Sequence, residues 1–361
     1  MEEEQILQEA FDIKKNKKAY SNEELNQINL SESILNKRTL VVEELEDKVK
    51  ILSNKILRDI DHPKNWQPSD YLPNFSTNWV ENINQIQEQS RSLPNELLVV
   101  LVGNMITEEA LPTYQSLINK VTATKDLTGS HESAWGKWTR WWTAEENRHG
   151  DLMHNYLNLI PKLNMNAVEK DIQYLISRGF NPGIGEDPYK LMVYTSFQEK
   201  ATHVSHLGTA KIAKSQGDER LYDICTAIAA DEARHFSFYK GVMKEIFEKD
   251  ANGAMTSYAQ MMKNTIPMPA KNMSSSSNSE LFRDFSEVAQ AIDIYNAKDY
   301  ADIMNQLNND WEISKRSVNS EEAIKAQEYL MDLPGRYLRL AERRGKGKFY
   351  FDSSKFDWLI R

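Results

Sequence analysis

The sequence predicts an all-α protein built around a four-helix bundle, and three observations carry that reading. Apolar residues recur every three or four positions along most of the chain, while the alternation expected of strands is nearly absent. The segment Trp142 to Gly150 holds Glu146 and His149 three positions apart, and Asp231 to His235 repeats the spacing with Glu232 and His235. A single glutamate on an apolar stripe precedes each pair, Glu108 before Glu146 and Glu199 before Glu232. Each half therefore reads as helix, loop, helix, and two such hairpins facing one another make a bundle with approximate two-fold symmetry.

The bulk composition bounds the partners. At 361 residues the chain can bury a large core, in one large domain or two. The expected organisation is a mobile arm over residues 1–40 and one domain over 41–361, with the bundle core at about 94–250 and further helices over 280–345. A formal net charge of −9 argues against nucleic acid or an anionic membrane as the main partner. The longest apolar run, Leu97 to Val102, is far too short for membrane insertion. A lone cysteine, Cys225, allows neither a disulfide within the chain nor a thiolate metal cluster, and reads as a small core residue. The acidic start, Met-Glu-Glu-Glu, resembles neither a secretory signal nor a transit peptide. The expected location is the cytoplasm, or the plastid stroma if a targeting segment has been removed.

In chain order, residues 1–38 are polar and carry at most one helical piece. Val42, Leu45, Val49, Leu52 and Ile56 mark one amphipathic helix over 41–60. Asp61 to Pro73, with three prolines and Trp66, is an ordered loop. Pro94 suits a first helical position, and Leu97, Leu98, Leu101, Met105 and Glu108 follow on one helix. Pro112 lies inside that pattern and is expected to kink it. Over 133–160, Trp135, Trp138, Trp142, Glu146, His149 and Met153 share one stripe. If the tryptophan face is core, Glu146 and His149 are buried with it, and a buried charge needs a partner or a metal. After a loop from Gly179 to Pro188, the next helix carries Met192, Thr195, Glu199, Thr202 and His206. The fourth carries Ile224, Ile228, Glu232, His235, Tyr239 and Val242. Pro267 to Pro269 and Ser274 to Ser277 form a linker, and residues 348–361 a short hairpin or an extended tail.

Residues three apart on a helix share a face, so each pair can reach one cation. Glu108, Glu146, His149, Glu199, Glu232 and His235 are too many ligands for one structural zinc, which takes four. Mixed oxygen and nitrogen donors suit a pair of iron or manganese ions bridged by carboxylates. A glutamate from each of two helices and Glu-x-x-His from the other two is the known arrangement of ferritin-like di-iron proteins. One such motif alone is common on solvated helices; two with upstream glutamates are specific. Asp231 and Glu145 precede the motif glutamates and are placed to accept the free ring N–H of the opposite histidine, Asp231 from His149 and Glu145 from His235. Thr202 lies one turn from Glu199, toward the oxygen-binding side. His203 and His206 read as packing or hydrogen-bonding residues; His62, His131 and His154 carry no pattern.

Four stretches carry a family resemblance: Gly103 to Tyr114, Trp142 to Leu152, Tyr194 to Thr202 and Ala229 to His235. With Asn65 to Pro68 and Ala297 to Asp302, they resemble the soluble acyl-[acyl-carrier-protein] desaturases, the stearoyl-type enzymes of plastids and some bacteria. The likeness runs from about residue 40 to 345. It implies a homodimer with two iron ions per chain, held by the six glutamates and histidines above. It implies that Thr202 lies by the oxygen site and that Trp66 with Asp231 forms an electron route to His149. The implied reaction is oxygen-dependent insertion of a cis double bond into a saturated chain, stearoyl or palmitoyl at position 9, carried on acyl carrier protein. Ferredoxin would supply two electrons. The segment with Leu117, Lys120 and Val121 resembles an acyl-tunnel wall, where a lysine is a departure. Arg343, Arg344, Lys346 and Lys348, or Lys48, Lys50, Lys55 and Lys64, offer a dock for an acidic carrier protein. The rivals are another di-iron oxidase or hydroxylase, using Tyr114, Tyr194 or Tyr239 as a radical, and an iron-oxidising bundle, against which the helices after residue 250 count.

Overall fold

A computed structural model describes residues 31–58, 60–73, 78–344 and 349–360. Among the described residues there are thirteen α-helices, a few 3-10 turns and one isolated antiparallel bridge, Leu163 to Leu359. The helices are α1 (Glu32–Glu43), α2 (Glu46–Ile56), α3 (Trp79–Arg91), α4 (Asn95–Glu109), α5 (Leu111–Lys120), α6 (Ala134–Leu157) and α7 (Met165–Arg178). They continue with α8 (Pro188–Ser215), α9 (Glu219–Lys249), α10 (Ala251–Lys263), α11 (Leu281–Ala291), α12 (Ala297–Asp310) and α13 (Glu321–Arg344). No helix of the described residues is long and apolar enough to cross a membrane.

The bundle consists of α4, α6, α8 and α9. Each long helix has a definite start. Ser133 caps α6 by accepting from Gly136 N, Asp187 caps α8 by accepting from Tyr189 N, and Asp218 caps α9 by accepting from Leu221 N. Pro188 occupies the first turn of α8, where its missing N–H costs nothing. Gly217, at φ +77°, makes the tight turn that folds α9 back along α8. On α4 every residue from Leu97 to Ile106 is buried. A helix apolar on all sides must be enclosed, and α6, α7, α8 and α11 surround it. The later helices α10 and α12 pack beside α8, and α13 packs on α10 and α12.

The structure departs from expectation at four places and takes the extended alternative at the C-terminal segment. Helix α1 begins inside the segment expected to be an arm; residues 1–30 lie outside the described residues. The helix expected over 41–60 is two helices, broken at Glu44 and Leu45, although Leu45 and Val49 keep one buried face. Pro94 stands one residue before α4 with extended ψ 142°. The kink expected at Pro112 is a full break. Helix α4 ends at Glu109, Ala110 leaves helical geometry, and α5 restarts with Pro112 in its first turn. That placement spares the hydrogen bond proline would cost within a helix. The freed carbonyls find partners, since Thr113 Oγ1 donates to Ala110 O and Tyr114 Oη donates to Thr107 O at 2.9 Å. The C-terminal segment forms no hairpin among the described residues. It runs extended, buries Phe356 and Trp358, and bonds instead to residues 162–164 through Trp358 O and Ile360 N; a lone two-stranded hairpin is marginal in water.

Gly103 lets α11 approach α4 closely. A Cβ there would lie 2.2 Å from the Phe285 ring. Gly103→Ala is expected to destabilise the protein by about 1–3 kcal/mol through overpacking, read as a lowered urea midpoint. An unchanged midpoint would show that the ring moves aside without cost.

Candidate metal centre

The six residues picked out by spacing converge at the centre of the bundle, all buried. They form two overlapping sets, Glu108, Glu146, His149 and Glu232, and Glu146, Glu199, Glu232 and His235. Within each set the donor atoms lie within 4.8 Å of one another. Glu146 and Glu232 belong to both sets, the position of bridging carboxylates. His149 Nδ1 lies 3.4 Å from Glu146 Oε2, 3.3 Å from Glu232 Oε1 and 3.8 Å from Glu108 Oε2. His235 Nδ1 lies 2.7 Å from Glu146 Oε1 and 3.4 Å from Glu199 Oε2. Yet both Nδ1 atoms, Glu146 Oε1 and Glu232 Oε1 lack any partner in hydrogen-bond geometry. Buried polar atoms are normally paired. Four orphans converging in two overlapping sets fit two cations, and the donor chemistry suits iron or manganese.

The outer nitrogens of both rings are held across the pseudo-symmetry. His149 Nε2 lies 3.4 Å from Asp231 Oδ2, and His235 Nε2 lies 2.8 Å from Glu145 Oε2. Such contacts fix each ring with Nδ1 turned inward. Arginines then tie the two acids together. Arg148 Nη2 donates to Asp231 Oδ2 at 2.6 Å, and Arg234 Nη2 donates to Asp231 Oδ1 at 2.6 Å and Glu145 Oε2 at 2.8 Å. Arg58 Nη1 adds a contact of 3.3 Å to Asp231 Oδ1. Spacing does not single out Arg148 and Arg234, although both motifs read Glu-x-Arg-His, and Arg58 carries no motif signal. Trp66 stacks on His149 at 5.9 Å between centroids and 11° between planes, with the Arg148 guanidinium 4.5 Å over its ring. It borders a surface cleft with Arg58, Lys64 and Tyr71.

Electrostatics follow from this packing. Burial would raise the Glu146 pKa, but the charges of His149 and His235 hold it down to about 2. Burial pushes Glu108 and Glu199 above the usual carboxylate range, and neighbouring carboxylates add to the rise. Burial opposes charge on both histidines, yet Glu146 raises each well above an ordinary imidazole. For Asp231, burial is outweighed by the bond to His149 and the charges of Arg234 and Arg148, which hold it well below the usual range.

Around the cluster, Thr202 Oγ1 donates to Glu232 Oε2 at 2.7 Å, Trp142 Nε1 donates to Glu199 Oε1 at 3.1 Å, and His206 Nε2 lies 3.0 Å from Glu108 Oε1. His206 thus bonds Glu108, and His203 bonds Ala229 O. Two cavities meet here, sharing Thr107, Glu108, Thr202 and Pro269. The outer one, about 150 Å³, is walled by Ile266, Met268, Phe282 and Phe285 and reaches the surface at Asn264 and Lys271. The inner one, about 60 Å³, is walled by Leu117, Ile118, Leu191 and Tyr194, all buried. Leu117 is thus a wall residue. Lys120 is exposed and outside the wall, because the break at Ala110 resets the face that α5 turns inward. Val121 is buried in the core. None of Lys48, Lys50, Lys55 and Lys64 borders the mouth; Lys48 pairs with Glu245 and Lys64 borders the cleft at Trp66. The side chains of Arg343 and Arg344, with Lys346 and Lys348, lie outside the described residues.

Glu108, Glu199, His149 and His235 all favour their protonated forms, so metal must displace protons. Ferrous or cobaltous ion titrated into metal-free protein is expected to release protons, read as a calorimetric heat that varies with the buffer's ionisation enthalpy. Affinity should fall as the pH is lowered from 7 to 5; heats independent of buffer would contradict this. Asp231→Asn is expected to weaken metal binding about 10- to 100-fold, by competition against a chromophoric chelator, and unchanged affinity would remove Asp231 from the site.

A profile of the fatty acid desaturase family matches residues 37–360. The chain is 46% identical over 298 residues to the chloroplastic stearoyl-[acyl-carrier-protein] 9-desaturase of Spinacia oleracea, covering 82% of this chain and 75% of that protein. It is 45% identical over 299 residues to the corresponding protein of Ricinus communis, with coverage of 82% and 75%. Among solved structures, DesA2 of Mycobacterium tuberculosis H37Rv aligns with a TM-score of 0.51 at 18% identity, covering 80% of this chain and 99% of that chain, a likeness of fold. Agreement over nearly the whole length, on a helical bundle with this buried cluster, means that the chain belongs to the fatty acid desaturase family.

Proposed function

We propose that the protein is an acyl-[acyl-carrier-protein] desaturase. It inserts a cis double bond at position 9 of a stearoyl or palmitoyl chain, using oxygen, two iron ions and electrons from a ferredoxin. The observation that carries this reading is the two-part, mostly apolar cavity that runs past the carboxylate–histidine cluster to a wall of buried Leu117, Ile118, Leu191 and Tyr194. The carrier protein stays outside the mouth, the methyl end fills the inner cavity, and the middle methylenes pass Glu108 and Thr202.

Glu108, Glu146, His149, Glu199, Glu232 and His235 would hold the metals, with Asp231 and Glu145 orienting the rings. When bound, the iron pair supplies the oxidising power for removing hydrogen from unactivated methylenes. The protein's part is positioning and exclusion of water. Trp142, Leu117, Ile118 and Leu191 keep the inner cavity apolar. Thr202 donates its one Oγ1 proton to Glu232 Oε2 and borders both cavities, so it orients that carboxylate on the side where the chain would pass. On the opposite side of His149, Trp66 links the ring to the cleft with Arg58 and Lys64, which suits entry of electrons from an acidic donor. The reading carries with it a homodimer, checked by light scattering, and a plastid stroma or bacterial cytoplasm as its setting.

The test is turnover of iron-loaded protein with stearoyl-acyl carrier protein, reduced ferredoxin and oxygen, the released fatty acids being analysed by mass spectrometry. An 18-carbon product with one double bond at position 9 is expected. Protein that holds two irons yet leaves every saturated chain unchanged would overturn the reading. Leu117→Phe should shorten the inner cavity and shift kcat/KM toward shorter chains by about tenfold, the discrimination that a methylene or two gives in an apolar pocket. No shift in the ratio would mean the chain end lies elsewhere.

A further inference from the structure

We propose that Asn104 and Ser205 form the site that grips the thioester carbonyl of the bound acyl chain, and so set which methylenes face the metal cluster. The inference rests on the desaturase reading and adds a register-determining site to it. Asn104 precedes Glu108 by one turn of α4, so both side chains fall on one face, about 6 Å apart along the axis. Only 9% of Asn104 is exposed, and it borders the outer cavity, as does Ser205. Ser205 Oγ donates to Asn104 Oδ1 at 3.3 Å and so occupies the amide's acceptor. Asn104 Nδ2 is then left buried without a hydrogen-bond partner. Leaving a buried donor unmade is costly, so such groups in a cavity wall mark a place where a ligand supplies the acceptor.

The substrate's chemistry matches. A saturated acyl chain carries one strong acceptor along its length, the carbonyl at its thioester end. The carrier protein cannot pass the mouth, so that carbonyl lies in the outer cavity, on the Asn104 side of the cluster. Other unpaired polar groups fit less well. His206 Nδ1 is also unpartnered. Its ring is already committed to the cluster through the 3.0 Å contact of Nε2 with Glu108 Oε1. Gln198 is unpartnered at both amide atoms, but it borders the inner cavity, where the methyl end has nothing polar to offer. Tyr295 Oη is a second unpartnered donor on the outer cavity, and of the two Asn104 is the one that stands one turn from Glu108 on the same helix face. Because the carbonyl is pinned one turn toward the mouth from Glu108, the reacting carbons are counted from the carboxyl end.

The test compares binding of stearoyl-acyl carrier protein with that of an S-octadecyl analogue, in which a methylene replaces the carbonyl, to iron-loaded reduced protein without oxygen. Wild type is expected to bind the thioester about tenfold more tightly than the thioether, the factor a single neutral hydrogen bond supplies. Asn104→Leu should bind both alike, at the wild-type thioether level, and scatter the double bond over neighbouring positions. Ser205→Ala, which frees the amide to turn, should narrow the ratio in the same direction and stands in if Asn104→Leu does not fold. Equal binding of the two ligands by wild type that desaturates normally would overturn the anchor alone. So would Asn104→Leu weakening both ligands equally. Wild type that neither binds nor desaturates the thioester would overturn the anchor and the desaturase reading together.

Discussion

The structure depends on the burial of four glutamates and two histidines at one point. Such a cluster is not self-sufficient. Carboxylates a few ångströms apart in a low-dielectric interior raise one another's pKa values, and an unpaired buried charge is among the most destabilising features a core can have. Here the imidazoles and two of the glutamates are pushed toward protonation, which makes the cluster tolerable as protein and ready to exchange protons for metal. The arrangement is costly for a bundle with no other purpose. An apolar core would be at least as stable, so the cluster points to chemistry rather than to stability.

The rest of the bundle serves that cluster. Arg58, Arg148 and Arg234 surround Asp231 and Glu145, so the two acids stay ionised and each presses a histidine toward the centre. The break at Ala110 does comparable work for the inner cavity. A continuous helix would carry Leu117 onward along the axis of α4; the restart at Leu111 turns α5 so that Leu117 and Ile118 close the inner cavity. The helices after residue 250 supply much of the outer wall, which a simple iron-oxidising bundle would not need.

What the sequence made legible was whatever helical periodicity encodes. The all-α class, the four bundle helices and the convergence of Glu108, Glu146, His149, Glu199, Glu232 and His235 all follow from spacings of three, four and seven. The crossed contacts of Asp231 and Glu145 were legible for the same reason, since the pseudo-symmetry fixes which histidine each acid faces. The arginines were overlooked because a residue beside a motif histidine points off the metal face, and only tertiary structure shows it reaching the acid of the opposite motif. The face of Lys120 is not legible in the sequence, because it depends on whether Pro112 bends the helix or ends it. The cavity was not legible at all. Asn104, Ser205, Ile266, Phe285 and Tyr337 come from five helices or loops whose meeting is set by packing, not by local pattern.

As proposed, Glu146 and Glu232 would hold one pair of ions between them in each chain. The most direct test is anomalous diffraction at the iron edge from crystals loaded with ferrous iron. Two peaks per chain, one against Glu108 and His149 and the other against Glu199 and His235, with Glu146 and Glu232 touching both, is the predicted result. A single peak, or iron bound away from these side chains in fully loaded protein, would contradict the account.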